Sequence, residues 1–339
     1  MPYTGRQCRL GHILQRTRRC KPKDAVKSMS LHAFVRLIVL SALLAAHPTP
    51  AIAEAAAQPW PIAIREQIDQ IGNIEYRLRK SSGNLCPDSA LASGIKIDYI
   101  GAYSKSDRDA VRQLTGLGDA PQVISVTQGS SAEAAGVRIG DDILAINGVA
   151  VSQLRTESDE PTLFADELEE RLAATPADQD ITLKLIRAGK PLSLSFRGER
   201  LCASRFLLKT GKGLTAYSDG RNVALSAKLV DFAQNADELA VFAAHELAHV
   251  IARDDEASGL RQRRAMEDRA DVLGADLMRC AGYDVERGLA IWRRYNKRDW
   301  LRWLRSPSHR NVPDRIRNIE AHLAAVPEQC PPEVPALPE

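Results

Sequence analysis

Residues 237–251 read DELAVFAAHELAHVI. Ala, Leu, Val and Ile recur on the helical spacing, so the stretch reads as an α-helix. Asn235, with Glu238 three residues on, makes a capping box at its start. Inside it lies His245-Glu246-Leu247-Ala248-His249, an HExxH motif. Two His four apart on a helix share a face, so both imidazoles reach one metal ion. Glu246 then stands beside the metal without ligating it, placed to deprotonate bound water. After residue 53 the chain has His only at 245, 249, 309 and 322, and half of them lie on this one face.

A catalytic zinc takes a third protein ligand and keeps an open position. The next helix carries Glu267-Asp268-Arg269-Ala270-Asp271, with Glu267 and Asp271 again four apart. Glu267 completes a His₂Glu set, and Asp271 is placed to accept from the far nitrogen of a ligand His and fix its tautomer. The other reading of this run is a solvated helix face. Its place 18 residues after His249 makes Glu267 the leading ligand candidate.

Around this centre the chain from about Leu201 is mainly helical, ending in a Pro-rich tail, PPEVPALPE. Residues 91–198 differ: short β-type runs such as GIKIDYIG, PQVISVT, DILAING and ITLKLIR alternate with turns, broken by one helix near 162–174. Residues 60–80 space Ile64, Ile68, Ile71, Ile74 and Leu78 as a helix preceding the first domain. The segment Gln122–Gly148, with VISVTQGSSAEAAGVRIGDDILAING, resembles a PDZ domain of bacterial envelope proteases; Ser131 stands where Pro is usual. Asn147-Gly148 suits a tight hairpin turn. The resemblance implies peptide binding by strand addition, with amides capturing a terminal carboxylate. Ser93-Gly94-Ile95 is the candidate carboxylate loop; Gly116-Leu117-Gly118 looks similar but lies before the wrong strand. A PDZ fold serving as a spacer without ligand is the alternative.

The stretches ELAVFAAHELAHV, EDRADVLGADLM, CAGYDVERGLAIWRRY and SHRNVPDRI together resemble the HtpX/BepA/Oma family of gluzincin metallopeptidases, which also contains the CAAX prenyl endopeptidases, over about 214–325. The resemblance implies one Zn²⁺ on His245, His249 and Glu267, with Glu246 as general base. It places His309 near the metal, where such a His can stabilise the oxyanion. The Pro-bounded loop Trp300–Pro313 that carries His309 could swing it onto the metal as a fourth ligand in a resting state; the alternative is that His309 stays behind the ligands or caps the following helix. It also implies that the strand holding Arg221, Asn222, Val223 and Ala224 lines the substrate cleft. Three departures are visible: Thr215-Ala216 where the family often has Asn-Ala, a short segment between the two metal helices, and Arg253 where a further His is common. The membrane-spanning helices of HtpX and the CAAX proteases are missing, so a prenylated substrate is not expected.

The N-terminus reads as an export signal. Arg36 precedes the apolar run LIVLSALLAA, followed by the break HPTP and the small residues Ala51-Ile52-Ala53. Met29 is an alternative start, and an uncleaved anchor the alternative to a signal peptide. Net charge is +3, but residues 1–53 carry +8, leaving −5 for the rest. A mildly acidic body argues against nucleic acid as a partner. Later stretches lack the ~18 uninterrupted apolar residues of a spanning helix. Beyond Cys8 and Cys20 in the leader, Cys86, Cys202, Cys280 and Cys330 remain. In an exported chain these imply two disulfides; of three pairings, Cys86–Cys202 and Cys280–Cys330 each close a recognisable unit, while reduced buried thiols are the alternative.

The expected class is α+β: a mainly helical, zincin-like metallopeptidase domain with a small edge-strand sheet, plus a β-rich PDZ domain. The expected organisation is a signal peptide over 1–53, a helical segment over 54–90, the PDZ domain over 91–198, the metallopeptidase domain over 199–325 and a tail over 326–339. The expected activity is periplasmic zinc-dependent cleavage of unfolded or extended polypeptides, with a possible peptide ligand on the PDZ domain and no stable membrane span once the signal is removed. A non-catalytic polypeptide-recognition protein is the competing expectation.

Overall fold

The computed structural model describes residues 58–254, 259–298 and 309–337. The leader, with Cys8, Cys20 and Met29, lies outside the described residues. The first helix, α1 (Trp60–Ser81), starts with a Pro in its first turn and ends with Arg79 and Lys80, which oppose the helix dipole. Its stripe of Ile71, Ile74 and Leu78 is buried, but not against the segment that follows it. Those residues join one core with Phe206, Val223, Leu247, Ala248 and Leu277. The helix is therefore part of the later helical module, which corrects the separate segment expected over 54–90. An apolar stripe must be covered, and its cover lies more than a hundred residues further on.

The β-rich module is inserted between α1 and the rest of that core. Its stem is a two-stranded ribbon: β1 (Ser89–Ala92) pairs antiparallel with β8 (Glu199–Cys202), from Ser89↔Cys202 to Ala92↔Glu199. The Cys86–Cys202 disulfide ties the root of this stem, with Cα atoms 5.3 Å apart. Between the stem strands run β2 (Ile95–Asp98), α2 (Arg108–Thr115), β3 (Gln122–Val126), α3 (Ser131–Ala134), β4 (Asp142–Ile146), β5 (Val149–Ala150), α4 (Val151–Glu157), α5 (Phe164–Ala173), β6 (Ile181–Arg187) and β7 (Lys190–Phe196). The sheet order is β2-β3-β4-β6-β7, with β5 paired to β4. Asn147 and Gly148 both have positive φ, 49° and 81°, as the two-residue hairpin between β4 and β5 requires. Helix α2 was not legible: its charged sequence buries only Val111. Gly116 is its left-handed C-cap, which explains the glycine that resembled a carboxylate loop.

The helical module continues with β9 (Phe206–Lys209), β10 (Ala216–Ser218), β11 (Val223–Ser226), α6 (Ala227–Phe232), α7 (Ala236–Ala252), α8 (Leu260–Cys280), α9 (Val285–Arg298) and α10 (Val312–Ala325). Its small sheet has the order β10-β11-β9, with β11 antiparallel to β10 and parallel to β9. Cys280 joins Cys330 across the end of α8 and the tail, with Cα atoms 5.5 Å apart. Both expected pairings are present. The described residues form one compact unit of α+β character. Among the described residues no helix is long and apolar enough to cross a membrane.

Candidate metal centre

Helix α7 starts where Asn235 accepts from the Glu238 N–H at 3.0 Å. The Glu238 carboxylate accepts in turn from the Gln234 N–H at 2.7 Å, closing the box one residue further out than expected. Ala240, Ala243, Ala244 and Ala248 are fully buried on α7, so a neighbouring helix can approach closely. Helix α8 does so at Gly274, where an added Cβ would lie 3.0 Å from the His245 N. That crossing sets Glu267 and Asp271 over the two His of α7.

The donor atoms converge. The His245 and His249 Nε2 atoms are 3.2 Å apart. Glu267 Oε2 lies 3.3 Å from His245 Nε2, 3.5 Å from His249 Nε2 and 2.9 Å from His309 Nε2. His245, Glu267 and His309 form the cluster of metal-ligand type found among the described residues. Glu267 Oε2 is buried, yet it accepts no well-oriented hydrogen bond from the imidazoles around it. Donors bound to a tetrahedral zinc at ~2.0–2.1 Å stand about 3.3 Å from one another, which is the spacing seen among His245, His249 and Glu267. A buried carboxylate oxygen ringed by imidazole nitrogens, none aimed to donate to it, fits a cation between them. Imidazole and carboxylate donors are also a set that zinc accepts. Burial acts to lower the His249 pKa, but Asp254 and Glu267 raise it to about 10. Burial would raise the Glu267 carboxyl, but the three imidazoles hold it well below the usual range.

Each candidate ligand His is held from behind. His245 Nδ1 lies 3.0 Å from Asp271 Oδ1. Arg315 of α10 grips the same carboxylate, with Nε 2.8 Å from Oδ2, and stacks 4.0 Å over the Trp292 ring. Burial would raise the Asp271 pKa, but Arg315 and His245 hold it down at about 2. Asp271 thus stands where the sequence placed it. His249 Nδ1 meets Asp254 Oδ2 at 2.9 Å, and Arg269 backs Asp254. Asp254 was missed. It lies just past the helix end and is turned back by Arg253, a non-glycine residue in the left-handed region at φ 53°. Nothing in the spacing marks a residue brought in by such a turn.

His309 precedes Asn311, whose side chain caps α10 by accepting from the Asp314 N–H at 2.9 Å. Arg310 makes a two-pronged ion pair with Asp268, its Nε and Nη2 2.7–2.8 Å from the carboxylate oxygens. That pair fixes the His309 backbone beside α8. Residues 300–308 of the expected His309 loop lie outside the described residues. Glu246 faces β10, where Ser218 Oγ donates to its Oε2 at 3.2 Å.

The expected substrate strand is misplaced. Arg221 and Asn222 form the turn between β10 and β11, where both backbone N–H groups donate to Asp219 Oδ1. Val223 and Ala224 begin β11, the central strand, buried and paired on both sides. A strand with two partners has no edge left to offer a peptide. The edge beside Glu246 is β10. Its Thr215 and Asp219 flanks bond to β11, so Ala216 and Ser218 turn their backbone groups outward.

In the inserted module, Ser93-Gly94-Ile95 does stand at the head of the edge strand β2. Gly94 has φ 76°, and a Cβ there would meet Ser130 at 2.3 Å, so only glycine fits. No curated protein matches the chain. Residues 96–160 match the PDZ domain family, whose members bind peptides, so this chain carries a PDZ domain with a role in protein interaction or substrate binding.

Proposed function

We propose that this chain is a zinc-dependent endopeptidase of the bacterial cell envelope, exported by its leader, that cleaves unfolded or misassembled polypeptides, with the PDZ domain governing their access. The observation that carries the reading is the buried Glu267 Oε2, ringed by three imidazole nitrogens with no hydrogen bond of its own. The resemblance of the HExxH and ExxAD helices to gluzincin peptidases supports it. His245, His249 and Glu267 would hold the zinc. A zinc ion there would act as a Lewis acid toward a scissile carbonyl and acidify a water.

The chain's own residues do the rest. Glu246 takes a proton from the attacking water and returns it to the leaving amine nitrogen. Ser218 orients that carboxylate from the edge strand. Ala216 and Ser218 present outward backbone groups to an extended substrate, which adds to β10 as a further strand. Asp271 and Asp254 fix the ring orientation of the two ligand His and keep their Nε2 atoms directed at the centre. His309, 2.9 Å from Glu267 Oε2, stands against the third ligand in this resting arrangement and withdraws on substrate entry.

His309 beside the cluster also supports a second reading, in which it joins the ligands. A site with four protein donors is closed, and closed zinc sites are structural. Glu246 separates the two, because a structural site has no use for a carboxylate there. Glu246→Gln should keep zinc and fold but abolish cleavage of casein. A wild-type protein that holds zinc and cleaves neither casein nor a broad peptide library would establish the structural reading.

A further inference from the structure

The edge of β2 is where an extended peptide would add to the PDZ sheet, and it is already occupied. Its alternate backbone N–H groups each have a side-chain acceptor. Ile95 donates to Ser93 Oγ at a long 3.4 Å, Ile97 to Glu169 Oε1 at 3.0 Å, and Tyr99 to Asp98 Oδ1 at 2.7 Å. Ser93 and Asp98 are local, but Glu169 reaches across from α5. That helix lies along β2 with Phe164, Leu168 and Leu172 fully buried in the same core as Ile95 and Ile97.

The Glu169 carboxylate is not held by Ile97 alone. Lys96 Nζ lies 3.3 Å from its Oε2 and 2.7 Å from Glu75 Oε2 on α1. Glu75 in turn pairs with Arg79 at 2.6 Å. Arg205, in the link between β8 and β9, reaches Asp166, Glu169 and Glu170 of α5 at 2.8, 3.4 and 3.1 Å. Lys96, Glu75, Glu169 and Arg205 are all largely buried. One carboxylate thus caps the peptide edge and also closes a charge network that joins the PDZ domain to α1 and the helical module.

We propose that Glu169 is a built-in occupant of the PDZ groove, and that a ligand must bring a carboxylate of its own to replace it on Ile97, Lys96 and Arg205. The vacated place suits an anion, since without Glu169 Lys96 is left with Glu75 and Arg205 with Asp166 and Glu170, one carboxylate fewer around the two largely buried cations. The ligand is an extended peptide with a free C-terminal carboxylate. Its entry takes one of three α5 carboxylates off Arg205, which keeps Asp166 and Glu170, so binding weakens the junction between the two modules. This proposal does not depend on the zinc reading.

The test uses the full exported chain and fluorescein-labelled decapeptides with random C-terminal residues, as free acids and as amides. Glu169→Ala should bind the free-acid pool about tenfold or more tighter than wild type, the scale of one charge-assisted hydrogen bond. Amidated peptides should gain nothing. Hydrogen exchange at the Ile97 amide should quicken by about tenfold while 123–126 in β3 stay protected, which reports an intact fold. Glu169→Gln, which keeps an acceptor of the same shape, should gain less in the same direction. Equal binding by wild type and Glu169→Ala, no binding by either, or an equal gain for amidated peptides would overturn the proposal.

Discussion

Two sheet edges in this chain face a helix, and they are treated in opposite ways. The β2 edge in the PDZ domain has its outward amides capped by Ser93, Glu169 and Asp98. The β10 edge in the helical module turns Ala216 and Ser218 outward beside Glu246, and among the described residues no strand covers it. An exposed edge invites pairing, so a protein blunts it or uses it. Here the blunted edge carries the domain whose family binds peptides, and the open edge lies beside the candidate metal cluster. A family match alone therefore does not say which edge receives polypeptide in the resting protein; the hydrogen bonds at each edge do.

The largest expected effect breaks the closed side of this contrast. Glu75 sits under β2 with Lys96 and Arg79 on it. Burial acts to raise its carboxyl, but the two cations hold it below 4.5. A depressed folded value means that the pairing stabilises above about pH 4.5 and is lost as the pH falls further. Glu75→Gln should cost about 3 kcal/mol at pH 6, as removal of one partner of a buried pair does. It should also flatten the loss of Tm between pH 6 and pH 3 relative to wild type. Calorimetry at the two pH values checks both, and an equal acid loss in the two proteins would remove Glu75 from the account.

A smaller effect sharpens the open side. Asp254→Ala should weaken zinc binding by about 10–100-fold, because His249 loses the group that orients its ring. Competition with a chelator measures it, and unchanged affinity would make Asp254 a helix-end residue and nothing more.

The smallest compares the two edges directly. Ala216→Pro removes one outward N–H from β10, and Pro is tolerated on an edge strand. It should raise KM for peptide cleavage by about tenfold with little change in kcat, the scale of one or two hydrogen bonds. Ile97→Pro in β2 should leave cleavage of the same short peptide unchanged. Equal losses from both would erase the contrast.

How much of this the sequence displays depends on where each signal resides. The paired His and Glu246 are legible as one helical face because a helix repeats every 3.6 residues and the motif fits within one turn and a half. Glu267 and Asp271 are legible for the same reason. Asp254 is not, because a left-handed turn at Arg253 brings it back. Helix α1 is visible from its Ile spacing, but the core it enters is assembled by residues far along the chain. The cleft strand misleads in an instructive way. VALS looks like a strand because it is buried on both sides, and for that reason it is the central one. The outer strand beside Glu246 carries mixed residues, AYS, and reads as little more than a loop.

The central claim is that Glu267 and the imidazoles around it enclose one zinc ion. X-ray absorption at the zinc edge, on the resting full-length protein as purified, tests it most directly. The account predicts about one zinc per chain with four nitrogen or oxygen donors near 2.0–2.1 Å. It also predicts loss of most of that zinc in Glu267→Ala. A purified chain without zinc, or a Glu267→Ala variant that keeps it with an unchanged spectrum, would contradict the account.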